Sequence, residues 1–263
     1  MRKDYVEASS PAGEDAFVAS MWDRVWHEHA AAAIPPAALR AGEEYRFLRE
    51  RVLREAPAPL DVLDCGCGLG GWTLALRQDG HRVMGIDIAP QAIERLREVH
   101  GDVFRVADFR HTGLPSESFD LLINWGGLEH FEEGPAAGIA EAWRLLRPGG
   151  AFVATTPFHN VRLRVLDRWR AKGGPSGTSR FYQYRFTRDE LEAAFRAAGF
   201  QDVASRAVGG EQGMSRALQH ELGALGRHLP TPVKAILVSL GGRVFRPWLG
   251  HMAIAIGRKR RTT

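Results

Sequence analysis

The eight residues Asp64-Cys65-Gly66-Cys67-Gly68-Leu69-Gly70-Gly71 crowd a carboxylate, two thiols and four glycines into one short segment. Glycines there let the backbone approach a ligand and let a following helix pack tightly on the preceding strand. A helix opening at that point offers free N–H groups to an anion, either a carboxylate or a pyrophosphate. Gly66, Gly68 and Gly71 also satisfy G-x-G-x-x-G, so the motif alone fits more than one nucleotide-like ligand. Asp87, about 20 residues on, can accept from both hydroxyls of a ribose. Asp108 is placed to accept from an adenine amino group. Further along, Asn124-Trp125-Gly126-Gly127-Leu128-Glu129-His130-Phe131 supplies His130, whose neutral imidazole can take a proton from a hydroxyl near pH 7. A purely structural role competes with that one, and His111, His159, Tyr182 and Tyr184 are further candidates. Cys65 and Cys67 are too close in sequence for an unstrained bridge, and a metal would need more ligands nearby. They read as small packing residues, and no metal site is expected.

These residues need elements to position them. LDVLDCG, from Leu60, is a short apolar strand, followed by a helix at Gly71–Gln78, the strand HRVMGID and a helix at Pro90–Val99. DVFRVAD is a weak third strand and SFDLLINW a strong fourth. A helix at Pro135–Leu146, with Ile139, Ala142, Trp143 and Leu146 on one face, leads through the turn Pro148-Gly149-Gly150 into the strand AFVATT. After a capping box at Thr187 and Glu190, a helix lined by Leu191, Ala194, Phe195 and Ala198 ends at Gly199. QDVASRAV and HMAIAIG complete the strands. Strands alternating with helices imply a parallel sheet covered on both faces, an α/β fold. Residues 14–55 read as helical, broken at Ile34-Pro35-Pro36. Expected boundaries are therefore an N-terminal helical cap at 1–55 and one domain at 56–263, with insertions at about 159–184 and 209–248.

Taken together, these residues resemble the class I S-adenosylmethionine-dependent methyltransferases, closest to the broad small-molecule and quinone-biosynthesis group. Val62 to Gly70 match the first motif of that family, Asp87 and Asp108 its acidic residues after strands two and three, and RLLRPGG, Arg144 to Gly150, its turn before strand five. The resemblance implies a Rossmann-like, doubly wound, mostly parallel seven-stranded sheet whose last strand, HMAIAIG, runs antiparallel. It implies S-adenosylmethionine as cofactor. By the same resemblance Asp64, Gly66, Cys67, Gly68 and Gly70 surround the methionyl part, Asp87 and Ile88 the ribose and adenine edge, and Asp108 and Phe109 the adenine. Asn124 and Trp125 then close the site near the sulfonium.

The Asn/Asp-Pro-Pro-aromatic run usual in methyltransferases of nucleic-acid base amino groups is missing after strand four. The paired-glutamate loop of the protein-arginine enzymes is missing too. Both absences favour a small-molecule or saccharide acceptor, and O-methylation is the expected reaction. A prenylated quinone or lipid-linked acceptor at a membrane surface is the alternative; an RNA-directed enzyme, helped by Arg258-Lys259-Arg260-Arg261, and an NAD-dependent oxidoreductase are weaker ones. The chain of 263 residues has 35 Lys and Arg against 31 acidic residues, a net charge of only +4, so nucleic acid is not expected as a partner. MRKDYVEASSPAGED has no apolar core of a signal peptide, and a cytoplasmic location is expected. Residues 1–55, 159–184 and 209–248 are expected to form a lid over the carboxyl ends of the strands and to set acceptor specificity, the last of them with Val233, Ile236, Leu237, Leu240, Val244, Phe245 and Trp248 as its apolar face and Lys234, Arg243 and Arg246 at its edge. Peripheral membrane contact through 232–248 is the competing role.

Overall fold

The structure is a computed structural model that describes residues 1–7, 14–29, 34–56, 58–169, 179–220 and 229–261. From the N-terminus come strand β1 (Arg2–Glu7), helices α1 (Glu14–Glu28), α2 (Pro36–Ala41) and α3 (Glu43–Leu48), and a π-helical turn at Arg49–Leu53. Helix α1 ends at Glu28 and α2 opens at Pro36, so the two are separate helices, with Pro36 at a first-turn position that proline suits. Then the α/β alternation begins: β2 (Asp61–Cys65), α4 (Gly71–Gln78), β3 (Arg82–Asp87), α5 (Pro90–His100), β4 (Phe104–Val106), β5 (Phe119–Trp125), α6 (Ala136–Leu145) and β6 (Leu146–Pro157). After α7 (Val161–Trp169), β7 (Ser179–Arg185), α8 (Arg188–Ala197), β8 (Gln201–Val208) and α9 (Gly210–His220), the short helices α10 (Thr231–Ile236), α11 (Gly242–Val244) and α12 (Arg246–Leu249) lead to β9 (Met252–Arg258).

Seven strands form one sheet in the order β4-β3-β2-β5-β6-β9-β8. Strands β2 to β6 pair in parallel, and β9 runs antiparallel between β6 and β8. Alternation along each strand feeds two apolar layers. Val62, Leu121, Ile123, Val153, Ile254 and Ile256 face the layer that carries Leu48 of α3 and Leu76 of α4. Leu63, Leu122, Phe152, Ala253 and Ala255 face the layer of Ile139, Leu145, Leu191 and Phe195, from α6 and α8. In parallel register Asp64 lies beside Gly85 and Ile123, so the carboxyl ends of β2, β3 and β5 gather at one edge.

Three expectations change in detail. Pro148-Gly149-Gly150 is not a turn ahead of a strand but an irregularity inside β6: pairing shifts from Phe119–Leu146 to Leu121–Ala151, and Gly149 takes a φ of 85°. The N-terminal segment is not helical throughout, because β1 pairs antiparallel with β7 in a separate two-stranded sheet. Trp143 does not join the buried face of α6; it is 38% exposed and lies under the Lys259 ammonium, 4.2 Å from its ring centroid. The parts of the expected insertions at 170–178 and 221–228 lie outside the described residues.

Candidate active site

Backbone hydrogen bonds build the glycine turn after β2. The N–H groups of Gly66 and Cys67 both donate to the Ile86 carbonyl, at 2.8 and 2.9 Å, binding the turn to the end of β3. Gly68 N–H donates to Asp87 Oδ2 at 2.8 Å, and Ala89 N–H to Oδ1 at 3.0 Å. Gly66 holds a φ of 73° and Gly68 one of 51°, conformations that disfavour any side chain. A Cβ at Gly68 would also lie 2.8 Å from the Trp26 ring.

Beside this turn is a cavity of about 80 Å³ lined by Gly66, Asp87, Ile88, Asp108, Phe109, Asn124, Trp125 and His130, and walled on the other side by Val18, Trp22 and Trp26 of α1. The wall belongs to residues 1–55, expected to form part of a lid, although Trp22 and Trp26 were not assigned to this cavity from the sequence. Trp22 and Trp26 are four residues apart, hence on one helix face, and their rings stack at 5.2 Å. Asp23 docks α1: its Oδ1 accepts from the N–H groups of Gln91 and Ala92, at 3.0 and 3.2 Å, in the first turn of α5. Those donors have no partner within their own helix. An acidic residue between two tryptophans was the available signal.

The remaining expected residues stand behind the wall. Asp64 is 1% exposed and accepts from Thr73 Oγ1 at 2.7 Å; burial lifts its carboxyl to about 7. Cys67 packs with Ile93 and Phe104. Gly68 is covered by Trp26, and Gly70 backs onto the Phe104 ring. Burial likewise raises the Cys65 and Cys67 thiols, leaving them protonated, and among the described residues no cluster of three metal-ligating side chains exists.

Three lining side chains have protein partners. Burial works to raise the Asp108 carboxyl, but the Arg110 guanidinium, within 2.6–3.2 Å of both oxygens, outweighs it and holds it below the usual range. Asn124 donates to the Cys65 carbonyl at 2.7 Å and accepts from Gly127 and Leu128 N–H at 3.1 and 3.0 Å, so its amide fixes the loop after β5. Trp125 stacks on Trp72 with ring centroids 4.4 Å apart.

That loop ends in a 3₁₀ turn, Leu128–His130, which inserts two buried titratable groups between cavities. His130 Nδ1 lies 2.7 Å from the Tyr182 carbonyl. A carbonyl only accepts, so Nδ1 carries the proton and Nε2 keeps a lone pair. Nε2 is 3.8 Å from Glu129 Oε1. Burial pushes His130 down to about 4 and Glu129 up to about 8, so both are neutral at pH 7. The imidazole is therefore neutral at pH 7, as the sequence reading supposed, but desolvation has taken His130 below the physiological titration range. Beyond His130 opens a second cavity of about 420 Å³, bordered by Glu129, Tyr182, Arg162, Arg185, Arg216 and His251 among others.

The other candidates lie elsewhere. His111 is exposed, His159 Nε2 is 3.0 Å from Asp167 Oδ2, and the Tyr184 hydroxyl donates to the Glu132 carbonyl at 2.7 Å. The apolar face expected to cover the acceptor is neither core nor cavity wall: Val233, Ile236, Leu237, Leu240, Val244, Phe245 and Trp248 are 40–63% exposed, whereas the second cavity is reached by Gly213 and Arg216 before them and Leu249, His251 and Met252 after them.

Comparison with known proteins agrees with this geometry. A family model described as a methyltransferase domain matches residues 38–205. A probable S-adenosylmethionine-dependent methyltransferase of Mycolicibacterium smegmatis is 33% identical over 122 residues, 44% of this chain and 47% of that one. A ubiquinone biosynthesis O-methyltransferase of Cereibacter sphaeroides is 30% identical over 161 residues, covering 56% and 64%. The solved 1,6-didemethyltoxoflavin-N1-methyltransferase of Burkholderia thailandensis, with bound 1,6-didemethyltoxoflavin and S-adenosylhomocysteine, shares the fold with a TM-score of 0.58 at 21% identity, over 98% of this chain and 96% of that one. The chain spans about half the length of the first curated relatives it matches.

Proposed function

Because the chain belongs to the methyltransferase-domain family, we propose that it is an S-adenosylmethionine-dependent methyltransferase of the small-molecule type, methylating a hydroxyl of a small-molecule or saccharide acceptor seated beyond His130. When bound, the cofactor supplies an electrophilic methyl group on a sulfonium. The observation that carries the reading is that His130 borders both cavities. On one side it faces the glycine turn, Asp87 and Asp108; on the other, a space within the usual range of ~300–1,000 Å³ for ligand pockets.

The residues fit the cofactor. The N–H groups of Gly68 and Ala89 donate to the Asp87 carboxylate and that of Ile88 approaches it, which leaves lone-pair capacity on its two oxygens for ribose hydroxyls. The indole N–H groups of Trp26 and Trp125 are buried without a partner among the described residues, two donors in the cavity wall. Asp108 and Phe109 stand where an adenine would be held. Asn124 acts through the loop it fixes, and Asp64, Cys67, Gly68 and Gly70 act by shaping the turn. His130 Nε2 accepts the hydroxyl proton as the methyl moves across. Its low basicity limits the driving force, so alignment, which can contribute ~7–11 kcal/mol, outweighs proton transfer, worth ~10²–10⁴-fold.

Calorimetry with S-adenosylhomocysteine tests the cofactor half. Asp87→Asn should lose about 1.5–3 kcal/mol of affinity for each charged hydrogen bond removed, and exposed Arg95→Gln nothing. Equal affinity in wild type and Asp87→Asn would refute the ribose role. Incubating cell extract with deuterated-methyl cofactor and reading labelled products by mass identifies the acceptor; label on nitrogen or carbon alone would refute O-methylation.

A second reading, an acceptor taken from a membrane surface, is favoured by the exposed apolar residues. Val161, Val165 and Trp169 of α7 add to Ile236, Leu240, Val244, Phe245 and Trp248, and α7 packs against α12. Lys234 and Arg243 lie among them. Among the described residues no helix is long and apolar enough to cross a membrane, so contact would be interfacial. Sedimentation with anionic vesicles that salt reverses and Trp248→Ala weakens would support it; no sedimentation would end it.

A further inference from the structure

We propose that Glu129 selects the acceptor: its carboxyl binds a second oxygen on the atom next to the one that carries the methylated hydroxyl, so the substrate class is a vicinal diol, aliphatic or aromatic. The proposal rests on the methyl-transfer reading and names its substrate class.

Glu129 and His130 are consecutive in the 3₁₀ turn Leu128–His130, and both line the cavity of about 420 Å³. Of the two, only His130 also borders the smaller cavity beside the glycine turn, so a hydroxyl in line with the methyl group meets its Nε2 first. The Tyr182 carbonyl, 2.7 Å from Nδ1, fixes the ring and leaves Nε2 able only to accept. Glu129 Oε1 is 3.8 Å from Nε2, too long for a direct hydrogen bond. The two side chains therefore do not satisfy each other, yet they are close enough to hold neighbouring atoms of one molecule. Two oxygens on adjacent carbons lie about one hydrogen-bond length apart. One can give its proton to Nε2 while the other meets the carboxyl.

A second observation concerns the same side chain. Glu129 is 2% exposed, and its Oε2 has no partner among the described residues. Buried polar atoms left unpaired are rare without a reason. Burial lifts this carboxyl to about 8, so at pH 7 it bears a proton. A protonated carboxyl has one O–H to donate and keeps the capacity to accept, which suits a hydroxyl. An acceptor without the second oxygen would leave the carboxyl buried and unpaired. Sites built to hydrogen-bond a substrate oxygen reject the analogue that lacks it far more strongly than an apolar pocket rejects a missing methylene.

The test uses the full chain, S-adenosylmethionine with a deuterated methyl group, and two matched pairs of probes: catechol against phenol, and vicinal cyclohexanediol against cyclohexanol. In at least one pair the diol should be methylated about ten-fold or more faster by kcat/KM. Glu129→Gln, which keeps a donor and an acceptor in place, should retain that preference. Glu129→Leu should bring the diol to within about two-fold of its single-hydroxyl counterpart. Affinity for S-adenosylhomocysteine should change less than about two-fold in both variants, which separates acceptor selection from a folding defect. A preference in the catechol pair alone assigns an aromatic acceptor, in the cyclohexanediol pair alone a saccharide-like one, and in both a general vicinal diol. No preference in either pair, its loss in Glu129→Gln, or its full survival in Glu129→Leu overturns the proposal. Failure of wild type to bind S-adenosylhomocysteine would sink the methyl-transfer reading instead, and the two failures are read separately.

Discussion

At the scale of single residues, the site depends on groups whose charge the fold has cancelled. A carboxyl lifted to about 8 binds a proton in the folded chain that it gives up in the unfolded one, so Glu129 favours the folded state below about pH 4.5 and progressively less up to about 8. His130, lowered to about 4, acts the other way, adding stability as pH rises from about 4 to 6.5. Between pH 6.5 and 8 the Glu129 contribution alone of this pair still changes. Wild type should lose melting temperature across that window more steeply than Glu129→Gln, and parallel curves would show that Glu129 is already ionised. Catalysis should show no acid limb near pH 6.5 from His130; a limb there that disappears in His130→Gln would place its pKa in the ordinary range. The sequence carried residue types and order well, because glycines, acids at strand ends and a histidine after β5 are local features. It could not carry ionisation. The environment of Glu129 and His130 comes from Tyr182, 52 residues away, and from the walls of two cavities.

Among the elements, the parallel strands were legible for a simple reason: strands buried on both faces are continuous apolar runs, as in SFDLLINW. Strands β1 and β7 were not, since RKDYVE and SRFYQYR have little apolar surface to alternate and pair only with each other. Their sheet nonetheless delivers Tyr182 and Arg185 to the second cavity. Helix α1 lies in a segment expected to form part of the lid, but its tryptophan wall against Asp87 and Asp108 was not foreseen. Its attachment rests on Asp23, whose loss should cost about 0.5–2 kcal/mol, the range for a missing helix cap. Asp23→Ala should therefore lower the melting temperature slightly and raise amide exchange across α1 while β2 to β6 stay protected. Equal protection of α1 in both proteins would mean that Trp22 and Trp26 hold it without the clasp.

For the molecule as a whole, the two sheets divide the work. The seven-stranded sheet carries the glycine turn and both acids, whereas the smaller sheet, α7 and α9 wall the second cavity. Removing residues 1–7 should leave the far-ultraviolet circular dichroism almost unchanged yet free Arg185 from Asp4 and raise amide exchange in β7. A global collapse on truncation would show that the small sheet supports the large one. The cavity under Trp22 and Trp26 is only about 80 Å³, well below the ~300 Å³ at the lower end of ligand pockets. On the proposed reading the nucleotide would have to lift α1 to enter, and the free energy of that opening would be subtracted from its binding. If α1 is lifted in one molecule in a hundred, apparent affinity falls about a hundred-fold, and loosening the hinge recovers it. Asp23→Ala, the weaker fold, should then be the tighter and faster binder of S-adenosylhomocysteine, a trade of rigidity for occupancy that stopped-flow tryptophan fluorescence can time directly.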